Sequence, residues 1–261
     1  MNPFYWDEYS EDTIKYMMEI EGRYDRFKYS FELSSSPKDD RLKFVQMIIC
    51  LGYEAYRMES TTVHIAVNIL DRFFITQMSE KVGHQECLAA CLASLVIAIK
   101  LEEGRKLSTN DLCHQVLYAC SAHEVSQMEL HILCALKFEI IVATTAGFCE
   151  FFKRGIVQDQ NTLDVIDFLC DLSLYSYELL SHNPSQIAAC VIWIGLCSSN
   201  RDWDEDMAIL TGYSRYDLTP CSEIFQELVC HTFRAIKQKP LLQVYPRMSE
   251  IMACLKQIMQ A

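Results

Sequence analysis

Apolar residues recur at three- and four-residue spacing along most of this chain, and two stretches lose their polar face altogether. Leu88 to Ile99 contains no charge and almost no polarity. A helix that is apolar on every side must be wrapped by other helices. Lys100, Glu102 and Glu103 follow at once, so the same helix should end at the surface. Ile187 to Leu196 is uncharged in the same way. Around these two centres the 3.6-residue period predicts a repeated order of helices. A short first helix runs from about Ser10 to Gly22, with Ser10 as N-cap and acidic residues in its first turn. A polar link containing Ser34-Ser35-Ser36-Pro37 follows. Helices are then predicted at about 39–56, 61–76, 84–102, 108–120 and 123–136. An extended apolar link at 138–145 leads to a second set at about 146–154, 161–180, 184–197, 203–210 and 214–237. Residues 248–259 could form one more short helix.

The most apolar helix is third in each set of five. A centre helix wrapped by four others explains both. The fold class is therefore all-α: two consecutive five-helix bundles preceded by a short N-terminal helix. The predicted organisation is a helix and linker over 1–37, a first bundle over 38–141, a second over 142–239 and a tail over 240–261. No proline falls between Pro37 and Pro184, which suits long helices. Pro184 follows Ser181-His182-Asn183, a good helix start.

Composition narrows the function more by exclusion than by assignment. Half the residues are hydrophobic, so the chain can bury a sizeable core. The net charge of −12 leaves no basic stripe, which argues against nucleic acid and fits a basic protein partner. The thirteen cysteines are odd in number and sit mostly inside apolar runs, the habit of reduced core cysteine. That points to a reducing compartment, nucleus or cytoplasm. The acidic N-terminus has no apolar signal core, no Lys/Arg cluster reads as a nuclear import signal, and the longest uncharged apolar run is shorter than the ~18 residues of a membrane span, so no membrane is expected. There is no nucleophile elbow, phosphate-cradling glycine loop or zinc-protease motif. His84, Cys87 and Cys91 share one helix face, but zinc needs a fourth ligand, so neither metal nor cofactor is expected.

The charged residues have ordinary readings when taken singly. Lys100 suits a helix C-terminus, and Glu102 and Glu103 suit water. Glu129 lies at the edge of an apolar stripe formed by Leu130, Ile132, Leu133 and Leu136. Asp71-Arg72, flanked by large apolar residues, is sharper: buried charges need partners, so this is read as a structural ion pair.

Several segments together resemble the cyclin family, close to its A/B type. They are Ala66-Val67-Asn68-Ile69-Leu70-Asp71-Arg72-Phe73, the Leu92–Glu103 helix, Gln127-Met128-Glu129 and Leu136-Lys137-Phe138. In the second half they are Asn183-Pro184-Ser185, Ile187-Ala188-Ala189, and Thr211-Gly212-Tyr213 followed by Leu218-Thr219-Pro220-Cys221. Tyr9 to Glu21 resembles the family's N-terminal helix, and the interval from Lys100 to Glu129 matches without a gap. The resemblance implies two cyclin boxes in a non-catalytic subunit that binds and activates a cyclin-dependent kinase, controlling cell-cycle progression. It implies that Lys100 and Glu129 grip the kinase, that Leu101, Ile97, Leu133 and Ile140 line an adjacent apolar pocket, and that Tyr16, Thr13, Glu102 and Glu103 add to the interface.

The family's substrate-docking patch on the first box helix falls at Arg41, Phe44, Val45, Ile48 and Leu51, where the usual Trp is missing and Leu51 replaces a common acid. Docking of Arg-x-Leu substrates or inhibitors is therefore expected to be degenerate. A cyclin-fold adaptor that binds a kinase or transcription complex without activating it is the alternative.

Overall fold

The computed structural model describes residues 8–23, 38–77, 83–156, 159–234, 244–245 and 247–258. Twelve α-helices and no strand occur among them. They are α1 (Glu8–Arg23), α2 (Lys38–Ile49), α3 (Ser60–Thr76), α4 (His84–Glu102), α5 (Thr109–Gln115), α6 (Ala122–Ala135), α7 (Thr145–Ile156), α8 (Gln160–Ser173), α9 (Pro184–Cys197), α10 (Glu205–Thr211), α11 (Arg215–Arg234) and α12 (Met248–Ile258). The serine-rich link before α2, the expected last turn of α11 beyond residue 234 and most of the expected tail segment before α12 lie outside the described residues.

The helices form two compact units. The first holds α2–α6. The second holds α7–α12 and also α1, which packs on α7.

In the first unit α4 is the hub, packed on α3, α6 and α2. Every residue from Leu88 to Ile99 is buried. By length and composition α4 could cross a membrane, but a central helix with that much buried surface passes the same test. Its N-terminus is tied by Glu86, whose carboxylate accepts the Gly83 N–H at 2.9 Å. Within α4, Cys91 donates its S–H to the Phe44 carbonyl at 3.7 Å, and burial raises its thiol pKa. The His84 ring packs on the Phe44 ring, 5.8 Å between centroids. Cys91 is thus a buried core thiol, while His84 stands exposed at the first turn of α4.

α9 is the hub of the second unit, against α7, α8 and α11. Gly195 lets α8 approach: a Cβ there would stand 2.4 Å from Ile166 Cγ1. Gly195→Ala therefore overpacks a fully buried contact, and we expect a loss of about 1–3 kcal/mol, read as a lower denaturant midpoint with unchanged helical content.

Three boundaries differ from the sequence pattern. The helix predicted over 39–56 is α-helical only to Ile49 and then widens into a π-helical segment, Cys50–Ala55. This turn sits tight against α3: a Cβ on Gly52 would meet Val63 Cγ2 at 2.8 Å. α5 stops at Gln115, because Leu117 and Tyr118 both adopt left-handed backbone and the Tyr118 N–H closes on the Cys113 carbonyl. The helix predicted over 161–180 ends at Ser173, with a separate 3₁₀ turn at Glu178–Ser181. Pro220 is accommodated inside α11, in its second turn.

Candidate functional site

The expected site begins where α4 leaves the core. Ile99 is fully buried and Lys100 is exposed. One residue thus separates a helix fixed on all sides from a cation at the surface, so the direction of Lys100 is set by the core. α6 supplies the partner. Its start is held by a reciprocal cap: Ser121 Oγ accepts the Glu124 N–H, and Glu124 Oε2 accepts the Ser121 N–H at 2.7 Å. Val125 and Ile132 face the core, which leaves Glu129 at the edge facing α4. Lys100 Nζ donates to Glu129 Oε1 at 2.5 Å. The side chains are 46% and 21% exposed, and a pair this wet contributes at most about 1 kcal/mol to stability. Its value to the fold is small, which leaves its position as the informative property.

Apolar side chains stand in water beside both residues. Leu101 follows Lys100, Leu130 follows Glu129, and all three of Leu130, Phe138 and Ile141 are more than half exposed. Leu133 and Ile140 are half-buried. The sequence places Leu130 in an apolar stripe and Phe138 in a family motif but marks neither them nor Ile141 as site residues. Phe138 is turned outward by strained backbone: Lys137 and Phe138 both have positive φ, at 53° and 59°. Such residues cost about 1–2 kcal/mol each. The strain is held in place because the Phe138 N–H closes on the Leu133 carbonyl at 2.8 Å and Arg72 Nη2 donates to the Glu139 carbonyl at 2.6 Å.

Four expectations need correction here. Ile97 is buried, at 3% exposure, so it supports this face from beneath and does not line it. Glu103 also turns inward. Its Oε1 accepts from the Glu59 N–H at 3.1 Å and Thr62 Oγ1 at 2.9 Å, and its Oε2 from Arg105 Nε at 2.5 Å. Partial burial opposes ionisation, but these bonds outweigh it and hold the carboxyl below its ordinary pKa. Glu103 is thus a clasp between the end of α4 and the start of α3, while Glu102 stays exposed.

The third correction concerns Asp71 and Arg72, which do not pair with each other. Consecutive residues on a helix point apart. Asp71 takes both bonds of a fork from Arg41, Nε to Oδ1 and Nη2 to Oδ2, each at 2.7 Å. Arg72 goes instead to the Glu139 carbonyl. The fourth concerns the docking patch. Arg41, Phe44, Val45, Ile48 and Leu51 are all buried, none above 8% exposure. They form the inner face of α2 and its π-helical extension, so these five residues present no docking surface.

Thr13 and Tyr16 stand exposed on α1, in the other unit. Lys100, Glu129, Leu101, Leu133 and Ile140 all lie on α4, α6 and the segment just after it.

Two family models account for nearly all of this architecture: the cyclin N-terminal domain over residues 12–141 and the cyclin C-terminal domain over residues 143–254. The chain belongs to the cyclin family. The cyclin N-terminal match begins within α1, although α1 packs with the second unit. Curated relatives include cyclin-B1-2 of Arabidopsis thaliana, 25% identical over 83% of this chain and 48% of its own length. Cyclin-A3-1 of Oryza sativa is 28% identical over 67% of this chain and 48% of its own length. G2/mitotic-specific cyclin-1 of Antirrhinum majus is 25% identical over 94% of this chain and 50% of its own length. The chain therefore spans about half the length of the curated relatives it matches. Among solved structures, a viral cyclin from herpesvirus saimiri superposes with a TM-score of 0.63 at 16% identity, covering 77% of this chain and 89% of that one. A chain of the yeast RNA polymerase II CTD kinase complex CTDK-1 gives 0.64 at 16% identity, covering 88% and 80%. At that identity these likenesses speak for the cyclin fold alone.

Proposed function

We propose that this cyclin is the regulatory subunit of a cyclin-dependent serine/threonine kinase, that it activates its partner, and that it acts in cell-cycle progression in the nucleus and cytoplasm. The observation that carries the reading is the Lys100–Glu129 pair, set at the end of a fully buried helix and flanked by water-exposed Leu101, Leu130, Phe138 and Ile141. Desolvated charge ringed by large apolar anchors is how binding energy concentrates at protein interfaces. The mitotic names of its relatives support the cell-cycle setting.

The mechanism follows from what a kinase lacks when alone. Phosphoryl transfer needs the Lys–Glu pair of the N-lobe closed over the ATP phosphates, which depends on the position of the regulatory helix. A rigid face pressing on that helix shifts the kinase to its closed state by differential binding. Lys100 and Glu129 would offer a cation and an anion to the helix region by charge-assisted hydrogen bonds. Leu101, Leu133 and Ile140 would take its apolar side chains. Thr13 and Tyr16 on α1 supply a second point of contact.

The test is reconstitution of the full chain with purified cyclin-dependent kinases. A generic peptide substrate without a docking element is the right probe, since the usual docking positions are buried. Activation is expected to accompany complex formation for at least one kinase. A complex that forms with no gain in phosphorylation would favour the adaptor reading, and no complex with any of them would overturn both.

A further inference from the structure

α1 is held on the second unit by a small contact. Among the described side chains of α1, Ile20 is buried and apolar, and Met17 lies over Gly147, where a Cβ would come within 3.3 Å of Met17 Cε. A sixteen-residue helix is marginal without tertiary support. The added support is electrostatic. Both oxygens of Glu21 are taken by Ser185, the second residue of α9: the N–H donates to Oε1 and the hydroxyl to Oε2, each at 2.7 Å. Asn183, at the N-cap position, makes no side-chain cap bond, so a residue 164 positions earlier supplies the anion that the start of α9 favours.

The network behind Ser185 has a direction. Ser185 is fully buried and has one hydroxyl proton, which goes to Glu21. The Tyr213 hydroxyl lies 2.7 Å from Ser185 Oγ and must therefore be the donor there. The Asn183 side chain in turn bonds the Tyr213 hydroxyl. The Tyr213 and Ser185 hydroxyl protons thus both point toward the Glu21 carboxylate.

We infer that Glu21 is a positioning residue: a carboxylate latch, set by Asn183, Tyr213 and Ser185, holds α1 and so fixes the exposed Thr13 and Tyr16 for the partner. Met17 and Ile20 give the docked helix its apolar seat, and the latch sets its register. The partner-facing role rests on the kinase-binding reading above; the docking itself does not.

The experiment is hydrogen exchange on the full chain, with and without the kinase. Glu21→Gln keeps the shape and removes the charge. Amide protection in α1 is expected to fall by about ten- to a hundredfold, while α4 keeps its own. Ser185→Ala should do the same, and the double variant should be no worse than either single one, because both open one latch. Tyr213→Phe should give an intermediate loss. Kinase affinity should fall with α1 protection across the series. Protection of α1 unchanged within twofold in Glu21→Gln would overturn the latch, and lost protection with unchanged affinity would overturn the positioning role. If the unmodified chain bound no kinase, the functional reading would fail while the exchange series still tested the latch.

Discussion

Lys100→Glu is expected to weaken kinase binding about 30-fold or more while changing stability by less than about 1 kcal/mol. The two numbers separate because the residue sits on both sides of one boundary. Its backbone belongs to a helix buried through Ile99, so the fold does not depend on its charge. Its ammonium is half in water in the free chain and would be desolvated against the partner. A carboxylate there would face Glu129 across the distance that now holds a 2.5 Å bond. The reciprocal variant Lys100→Glu/Glu129→Lys decides what the pair is for. It restores the internal attraction with the signs exchanged. A structural staple would tolerate that exchange, and an interface that reads each sign at its own place would not. Binding measured by calorimetry is expected to remain lost in the double variant. Recovery to the level of the unmodified chain would show that the pair only braces α4 against α6.

The Lys100 end was legible in the sequence for the same reason. A run from Leu88 to Ile99 without a charge, then a cation and two acids, fixes both the burial of the helix and the place where it surfaces. α4 begins and ends at the predicted residues, and so does α9. Boundaries set by tertiary contact were not legible. The π-helical turn at Cys50–Ala55 packs tightly on Val63 of another helix, and the end of α5 depends on backbone that Leu117 and Tyr118 give no sign of adopting. The site was legible in part. Lys100 and Glu129 could be matched by spacing, but Glu102 and Glu103 look alike in sequence and only the structure sends one outward and the other to Glu59 and Thr62. Phe138 reads as part of an extended link, and its exposure comes from a left-handed turn that the pattern of apolar residues does not encode. Apolar residues at Phe44, Val45 and Ile48 could equally have formed a patch or a core. The period of α2 alone cannot choose, because the choice is made by α3 and α4 packing over it.

Arg41 is the residue whose role the sequence concealed most, and its removal should be the costliest single change to the fold. It lies among patch positions, yet it is 2% exposed and delivers a two-bond fork to Asp71, thirty residues away. Both charges are inside the first unit, where a carboxylate stripped of its guanidinium retains most of its desolvation cost. Arg41→Met is therefore expected to destabilise by about 3–5 kcal/mol. Domains of this kind have about 5–15 kcal/mol in total, so a loss of that size is a large fraction of the whole. The companion Arg41→Met/Asp71→Leu removes both charges and should recover most of the loss, since an apolar pair of similar volume satisfies the same space. Arg72→Met should not be rescued by any change at Asp71, because its bond goes to the Glu139 carbonyl. Urea unfolding of the three variants and the parent closes the comparison. A loss under about 1 kcal/mol for Arg41→Met would mean that Asp71 finds water or another donor, and that the fork is not what joins α2 to α3.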